Sequence, residues 1–245
     1  KYNKCSFSYY IDKILKLNIF EDKFSTKIGT LFHYVLSNAF SKDFDFEKTF
    51  EIGVTNSLKE INQKEKFLLI KLKEELKYII GVIKEQLMSI NYTNSLFEHE
   101  VKIKINDNCH IEFKGIIDKM FLKEEEDTIY VALIDYKTGD INANINNICY
   151  GLNLQLPVYI YLAKKAFSKD VCVTGFYYQT ILQNEFKTKN DLDYYNKKQS
   201  YIKLQGYTLD INNCDLKFDK TENDSAIIKG LRRNNDGTFS KNSKV

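Results

Sequence analysis

Residues 129–137 have the sequence Ile-Tyr-Val-Ala-Leu-Ile-Asp-Tyr-Lys, and this stretch decides the fold. Its first six residues form an unbroken apolar run rich in β-branched and aromatic types, which is typical of a strand buried on both faces. Because side chains alternate along a strand, we expect Asp135 and Lys137 to share one face and Tyr136 to point to the other. A buried strand that ends in an acid and a lysine favours a functional site.

The segments that follow this strand predict a crossover connection. Residues 146–166 have helical spacing, with Gln155 and Tyr159 one turn apart. Pro157 lies inside this helix and is expected to bend it, because proline removes a backbone hydrogen bond. The apolar segment 171–178 predicts a further strand, and a strand–helix–strand connection favours a parallel pair with a right-handed crossover.

Two alternating segments upstream, 96–105 and 111–122, predict a hairpin with its turn at 106–108. Asp118 is a charged residue within the otherwise apolar second segment. Together with the following strand these segments form a three-stranded meander. In such a meander Asp118 and Asp135 would lie side by side on neighbouring strands.

The N-terminal part is predicted to be helical. Apolar residues recur at helical spacing in four segments, 6–17, 26–36, 46–58 and 65–90. The first is amphipathic, and the last carries charges on one side, which indicates a solvated face. The second contains His33 among apolar neighbours, a position at which a histidine is usually a core residue with satisfied hydrogen bonds.

The C-terminal part gives weaker signals. Residues 184–200 are polar and predict a loop or a short helix, whereas 201–209 fit either a strand or a helix. The end of the chain is basic and contains Arg232 and Arg233, the two arginines of the sequence. Basic side chains in such a segment are typical of contacts with phosphate groups.

These elements predict one α/β domain over residues 1–245, with a central mixed β-sheet flanked by helices. Its parts are a helical portion at about 1–93, a catalytic core at about 94–210 and a basic tail at about 211–245. Because the chain begins with Lys1 instead of Met, we expect it to be a fragment of a longer protein.

The composition excludes several classes of protein. The net charge of +3 on 245 residues is too small to indicate nucleic-acid binding by itself. No apolar run approaches the roughly 18–20 residues of a membrane span, and the sequence has neither a signal peptide nor a Walker-type nucleotide-binding loop. Five cysteines without a C-x-x-C pair indicate reduced thiols, so we expect a cytoplasmic protein with no membrane contact.

The two aspartates define the expected chemistry. Buried carboxylates at Asp118 and Asp135 would repel each other unless a cation lay between them. A hard divalent ion suits oxygen ligands, so we expect Mg²⁺, with Mn²⁺ able to replace it, and metal-assisted hydrolysis of a phosphodiester. Lys137 would stabilise the attacking hydroxide or the charge on phosphorus, and His33 would complete the metal shell.

A D-x-K motif alone is a weak signal, because Asp135 and Lys137 would also fit a structural ion pair. An acid on the neighbouring strand, a histidine on an earlier helix and a Q-x-x-x-Y helix make the joint signal much stronger. Glu98 or Glu100 on the first strand would add a further carboxylate. An exposed position at the strand edge is the simpler interpretation for both.

Three motifs occur in the order and with the spacing of one nuclease family, namely GIID at 115–118, IDYKTG at 134–139 and YGLNLQLPVY at 150–159. They resemble the RecB-type nuclease domains of the PD-(D/E)XK superfamily, and above all the C-terminal nuclease domains of AddB-type helicase-nuclease subunits. The similarity spans most of the chain. YNKCSF at 2–7 is similar to the family's Y-x-x-C-P-F opening, GTLFH at 29–33 to its G-x-x-x-H helix, and residues 230–245 to its late G-L…D-G…S-x-V segment.

The resemblance implies a restriction-endonuclease-like fold and the roles of its site residues. It implies that Asp118, Asp135 and Lys137 are catalytic and that the metal is held by His33, Asp118, Asp135 and the backbone carbonyl of Tyr136. It also implies that Gln155 and Tyr159 support the site and the DNA.

An iron–sulfur cluster is a further feature of that family. It would use Cys5 together with three cysteines in a C-x-x-C-plus-one pattern near the C-terminus. The other four cysteines of this sequence do not have that spacing. We therefore expect no iron–sulfur cluster in this chain, and Cys5 is interpreted as an incomplete or vestigial ligand.

The expected function is that of a Mg²⁺-dependent DNA exonuclease in double-strand-break repair and recombination. DNA is the expected substrate, and an AddA-like helicase-nuclease protein is the expected partner. Two alternatives remain open at this point. One is a DNA-binding or scaffolding module of the same fold that lacks activity, and the other is a standalone RecB-like or CRISPR-associated nuclease.

Overall fold

A computed structural model describes residues 2–17, 23–106, 111–139, 141, 145–182, 191–211, 214–241 and 243. Its helices are α1 (Ser6–Tyr9), which continues as a π-helical turn (Tyr10–Ile14), α2 (Phe24–Asn38), α3 (Phe46–Ser57), α4 (Gln63–Leu87), α5 (Gln155–Ala166) and α6 (Asp191–Ile202). Its strands are β1 (Asn94–Asn106), β2 (Ile111–Glu124), β3 (Thr128–Lys137), β4 (Asp170–Thr180) and β5 (Gln205–Thr208). Within these ranges no helix combines the length and apolarity that crossing a membrane requires.

The five strands form one mixed sheet in the order β1-β2-β3-β4-β5. The first three strands are an antiparallel meander, β4 runs parallel to β3, and β5 runs antiparallel to β4. Helix α5 connects the parallel pair, as the strand–helix–strand pattern predicts. The structure therefore confirms an α/β fold with a mixed sheet, flanking helices and a helical N-terminal part.

Apolar side chains cover both faces of the central strand. On one face Ile134 and Tyr136 belong to a cluster that includes buried residues of α2, α3 and α4. On the other face Val131 and Leu133 pack with Leu156 and other residues of α5. Burial is continuous along β3 from its fourth to its ninth residue, as the apolar sequence predicts. The charged end of this strand thus lies between two layers of helix.

The helix that follows β3 is shorter than expected. Residues Ile145–Tyr150 form a 3₁₀-helix, and α5 begins only at Gln155. Pro157 therefore lies in the first helical turn, and the first helical hydrogen bond runs from the Val158 N–H to the Leu154 carbonyl at 3.0 Å. Because the first-turn N–H groups of a helix have no helical acceptor, proline costs nothing there, and the predicted bend is wrong.

The C-terminal segment is part of the core and does not form a separate basic tail. Ile227 and Leu231 are buried in the same cluster as the N-terminal helices. The Arg233 guanidinium is buried as well, where its Nε donates a hydrogen bond to Asp215 at 2.7 Å and its Nη2 lies 3.6 Å from Asp219. An arginine enclosed with two carboxylates is not available to phosphates, so the predicted contact between Arg233 and DNA is wrong.

Three other predicted segments have mixed outcomes. The N-terminal helix is present, but its apolar side is exposed, with Phe7 71% and Leu17 66% exposed. The sequence left the secondary structure of two segments undecided. Of these, 184–200 contains the start of α6, and 201–209 contains β5. The predicted hairpin turn beyond Asn106, Cys109 and the last two residues lie outside the described residues.

The backbones of β5 and β4 lie close together at Gly206. A Cβ atom at this position would lie 2.2 Å from the Phe176 carbonyl oxygen and 2.9 Å from the Tyr177 Cα. Backbone atoms in a sheet cannot move aside as a flexible side chain can. We predict that Gly206→Ala lowers the free energy of unfolding by about 2 kcal/mol or more, as overpacked positions do. Urea unfolding followed by circular dichroism measures the change.

Gly81→Ala is the matched control for this substitution. Gly81 lies in α4, and a Cβ atom there would meet nothing within 4 Å. Alanine should therefore raise the free energy of unfolding by about 0.5–1 kcal/mol through helix propensity. Equal midpoints for the parent and Gly206→Ala would contradict the close approach of the two strands.

Candidate active site

Two charged side chains leave β3 on the same face at the point where the strand ends. The Asp135 carboxylate is buried, and the partly exposed Lys137 ammonium contacts its Oδ2. A spacing of two residues along a strand produces this shared face. The geometry is the one expected from the alternation in the sequence.

Helix α5 adds an amide and a phenol to this pair. Gln155 Nε2 donates hydrogen bonds to Asp135 Oδ1 at 2.6 Å and to the Tyr159 hydroxyl at 3.0 Å. Its Oε1 accepts a hydrogen bond from Lys137 Nζ at 3.1 Å. Because Gln155 is the first residue of α5, the position at which this helix begins determines that Gln155 connects Asp135 with Lys137. Burial raises the pKa of Tyr159 to about 12, so its hydroxyl keeps its proton near neutral pH.

Asp118 reaches the site from β2. Its Oδ2 accepts a hydrogen bond from the backbone N–H of Tyr136 at 2.8 Å, so a side chain here replaces a strand-to-strand bond. The last regular pair between β2 and β3 is Lys119 opposite Ile134, and Asp118 and Asp135 are the next residues along. The two aspartates thus lie on adjacent strands where the ladder opens, as the predicted meander requires.

Helix α2 contributes an imidazole from the other side of the sheet. His33 Nδ1 lies 3.5 Å from Asp118 Oδ2 and 3.5 Å from Glu98 Oε1. One potential ligand atom from each of these three residues lies within 4.8 Å of the others. The His33 ring also meets the Tyr136 ring edge to face, with 5.9 Å between centroids. His33 therefore belongs to a polar cluster and is not an isolated core histidine.

Glu98 is a second acid of this cluster, although the sequence favoured an exposed strand edge for Glu98 and Glu100 alike. The ladder between β1 and β2 omits the pair of Glu98 and Asp118, and Glu98 has a φ of 45°. A left-handed conformation is unfavourable for a residue with a side chain, and strained residues of this kind cluster at functional sites. Alternation of residue types cannot reveal such an irregularity. The one sequence signal is the position of this acid on the strand that pairs with Asp118.

The cluster shifts the protonation of its members. Burial raises the pKa of Asp118 to about 6, with His33 opposing the shift and Asp135 adding to it. Burial also raises the pKa of Asp135, although the Lys137 charge opposes this. Burial acts to lower the pKa of His33, but its hydrogen bond to Glu98 and the charge of Asp118 outweigh burial, so its pKa is raised.

The donor set fits a divalent cation. Burial is the main cause of the raised pKa values of Asp118 and Asp135, and a cation beside the two acids would offset its cost. The carboxylate oxygens of this set suit Mg²⁺ or Mn²⁺. Apart from its contact with Lys137, the buried Asp135 Oδ2 has no hydrogen-bond partner in the part of the chain that the structure describes. Asp135 lies outside the group of three with 4.8 Å spacing, and the metal role of the Tyr136 carbonyl stays a prediction.

Three other residues that the sequence suggested as site residues lie outside this cluster. Glu100 is exposed and pairs with two lysines at 2.6 and 2.7 Å, and it does not belong to the cluster around His33. Arg232 is exposed, with its Nε 3.8 Å from a surface carboxylate, so it remains a candidate for contact with DNA. Cys5 is exposed and caps α1, and its role as a vestigial ligand stays a prediction.

The fold and the cluster together define the class of the protein. A mixed sheet with helices on both faces carries an acid and a D-x-K strand end on adjacent strands, as metal-dependent nucleases of this type do. The chain belongs to the PD-(D/E)XK nuclease superfamily, whose family model matches residues 1–235.

The chain is similar to several bacterial proteins that are each named as a subunit of an ATP-dependent helicase/deoxyribonuclease. It is 27% identical to that of Thermoanaerobacter sp. (strain X514) over 285 residues, which cover 100% of this chain and 24% of the relative. It is 27% identical to the protein of Caldanaerobacter subterraneus over 196 residues, which cover 73% of this chain and 17% of the relative. It is 25% identical to the protein of Clostridium tetani over 289 residues, which cover 100% of this chain and 24% of the relative. The chain thus spans about a quarter or less of the length of these relatives.

Asp118→Asn tests the electrostatic cost of the site. In the folded chain the pKa of Asp118 is about 6, above its ordinary value of 3.8. The folded state therefore loses stability as pH rises from 3.8 to about 6, and this stability remains lost at pH 7. Asparagine can still accept the Tyr136 hydrogen bond but carries no charge. We predict that it raises the free energy of unfolding at pH 7, in a chelator, by about 1–2 kcal/mol. The gain should shrink toward zero as pH falls to 4, as urea unfolding at several pH values would measure.

Asp224→Asn is the control, because the Asp224 side chain is 75% exposed. Its substitution should change the free energy of unfolding by about 0.5 kcal/mol or less. If the Asp118→Asn chain were less stable than the parent at pH 7, the predicted cost of the buried charge would be wrong.

Proposed function

We propose that this chain is a metal-dependent DNA nuclease domain that hydrolyses phosphodiester bonds, with Mg²⁺ as the ion and Mn²⁺ able to replace it. One observation carries the proposal, namely the convergence of His33, Glu98 and Asp118 beside the pair of Asp135 and Lys137. Membership of the nuclease superfamily supports it, as does the word deoxyribonuclease in the names of the relatives.

The residues of the site have different proposed roles. His33, Asp118 and Asp135 would hold the ion together with the Tyr136 carbonyl. The ion would polarise a phosphate oxygen and lower the pKa of a water molecule. Asp135 has the further task of orienting the ammonium of Lys137.

Lys137 is the group that acts on the substrate. Its ammonium is held by the Asp135 carboxylate and by Gln155 Oε1 at 3.1 Å, while about a third of its side chain remains exposed. A positive charge fixed in this way stabilises negative charge that develops on the phosphate, because it need not reorganise during the reaction. Glu98, which faces His33, is the additional candidate for a metal ligand.

We further propose that the domain is the exonuclease of an AddB-like helicase-nuclease in double-strand-break repair and recombination. It would act in the cytoplasm on DNA delivered by an AddA-like partner protein. The names of the relatives and the similarity over the whole chain support this role. Gln155, Tyr159 and Arg232 are the proposed supporting contacts to DNA.

The two alternatives have less support. An inert DNA-binding module of the same fold would have no need for an acid, a histidine and a lysine of the expected types in one place, yet this chain has all three. A standalone nuclease would share the site, but the relatives that match the full chain are subunits named for helicase and deoxyribonuclease together.

Asp135→Asn and Lys137→Met test the proposed activity. Each should reduce the cleavage of linear DNA in Mg²⁺ by about 100-fold or more, because one removes a charge that binds the ion and the other removes the fixed cation. Release of acid-soluble nucleotides from labelled single-stranded and duplex DNA measures the rate, and excess EDTA should abolish it. Lys169→Met is the control, since Lys169 is an exposed lysine beside Glu124 at the opposite end of the sheet. Full activity of Asp135→Asn would contradict the assignment.

The exonuclease role makes a separate prediction about the form of the DNA. A domain that needs a free end should degrade linear single-stranded DNA and leave circular single-stranded DNA of the same sequence intact. Gel electrophoresis of the two substrates, incubated side by side with Mg²⁺, measures this. Equal rates on both would show an endonuclease and contradict the exonuclease role, without affecting the proposal of metal-dependent hydrolysis.

A further inference from the structure

Lys119 follows the proposed metal ligand Asp118, and it is buried. Its side chain is 1% exposed. Its ammonium lies over three aromatic rings, 4.2 Å from the centroid of Phe40, 5.1 Å from Phe97 and 4.5 Å from Phe121. We call these three rings the Lys119 cage. Phe40 and Phe97 are also stacked on each other, with centroids 5.5 Å apart and planes at 12°.

The Lys119 cage connects the three parts of the chain that carry His33, Glu98 and Asp118, the candidate metal ligands. Phe97 lies directly opposite Lys119 in the ladder between β1 and β2, and it precedes Glu98. Phe121 lies two residues beyond Lys119 on the same face of β2. Phe40 follows the C-terminal end of α2, about two helical turns after His33. Glu98 and Asp118 thus have a cage residue on their own strands, and His33 has one two residues beyond the end of its helix.

Packing alone does not account for a lysine at this position. Burial removes the hydration of the ammonium, a cost that a methionine of similar length would not have, and it lowers the pKa of Lys119 to about 7. In its protonated form the side chain is attracted to the negative faces of several aromatic rings at once, and this attraction is stronger away from water. A neutral side chain would fill the space but would not draw the rings of three different elements toward one point.

We propose that Lys119 is a positioning residue, which holds α2, β1 and β2 in register and thereby sets the distances among His33, Glu98 and Asp118. This proposal rests on the proposed metal-dependent function. The distances at stake are small, since the ligand atoms of the three residues lie within 4.8 Å of one another. Metal sites depend on neighbouring groups that orient their ligands, and loss of such a group typically weakens metal binding about 10- to 100-fold.

Binding of Mn²⁺, measured by isothermal titration calorimetry, tests the proposal without any need for cleavage. Lys119→Met keeps the length of the side chain and removes its charge, so Kd for Mn²⁺ should rise about tenfold or more. Lys119→Arg keeps a cation over the rings, and its Kd should stay within about threefold of the parent value. Phe97→Leu removes one ring at a partly exposed position and should also weaken binding, which keeps the test open if Lys119→Met does not fold.

Lys198 provides a matched control for a buried lysine among aromatic rings. Its ammonium lies 4.2 Å from the centroid of Tyr78 and 5.5 Å from that of Tyr194, and it pairs with Glu75 at 2.5 Å. Lys198→Met should lower stability but leave Kd for Mn²⁺ unchanged, because this lysine holds α6 against α4 and not the metal cluster. Equal weakening by Lys198→Met and Lys119→Met would indicate a general loss of stability and overturn the proposal.

Amide hydrogen exchange of the metal-free chain gives a second readout. The Tyr136 N–H donates to Asp118, so its protection reports whether Asp118 keeps its place. Lys119→Met should speed the exchange of this amide, and Lys198→Met should not. Unchanged exchange together with parental Mn²⁺ affinity in Lys119→Met would overturn the proposal, as would a Lys119→Arg chain that binds as weakly as Lys119→Met.

The two proposals fail in different ways. A parent chain that binds no Mn²⁺ would contradict both. A parent chain that binds Mn²⁺ but cuts no DNA would contradict the nuclease alone, and the comparison of Kd values would still decide the role of Lys119. A parent chain that cuts DNA, with Lys119→Met binding Mn²⁺ as tightly as the parent, would contradict the positioning role alone.

Discussion

The closeness of Asp118, within β2, and Asp135, near the end of β3, is the constraint on which the site depends. Each carboxylate is largely removed from water, and burial together with the charge of Asp135 raises the pKa of Asp118 to about 6. Positive groups reach the pair from both sides of the sheet. His33 comes from α2, and Lys137 comes from the end of β3 itself. A divalent cation would complete the charge balance that these two groups begin.

The helical and α/β parts of the chain share one apolar cluster, and the candidate site lies between them. The sheet buries one face under α2, α3 and α4 and the other under α5. The crossover from β3 to β4 places the first turn of α5, and with it Gln155, over the end of β3. The C-terminal segment packs against the same helices through Ile227 and Leu231. Removal of the helical portion would therefore remove both His33 and about half of the apolar cluster that covers this face of the sheet.

The sequence predicts those features that depend on local periodicity. Alternation and apolar runs give the meander and the face shared by Asp135 and Lys137, and one-turn spacing gives the pair of Gln155 and Tyr159. Arg233 is different, because its burial depends on Asp215 and Asp219, whose approach is set by the folded chain and not by any local pattern. Glu98 joins the cluster through a left-handed backbone at an interruption of the ladder, which no alternation of residue types encodes. The late start of α5 is a similar case, since helical spacing continues through residues that form a 3₁₀-helix.

The charges of the site also determine how a metal ion and a phosphate would affect each other's binding. Glu98, Asp118 and Asp135 place three carboxylates beside the end of β3, with Lys137 as the neighbouring ammonium. A phosphate that approached these acids alone would meet repulsion in a site of low dielectric constant. A bound cation would reverse the sign of that interaction, and the phosphate would in turn add negative charge that holds the cation. In the proposed nuclease, metal and DNA would therefore strengthen each other's binding by the same factor, because the coupling between two ligands is reciprocal. The small net charge of the whole chain gives no hint of this, since the relevant quantity is the arrangement of four charged groups within one site.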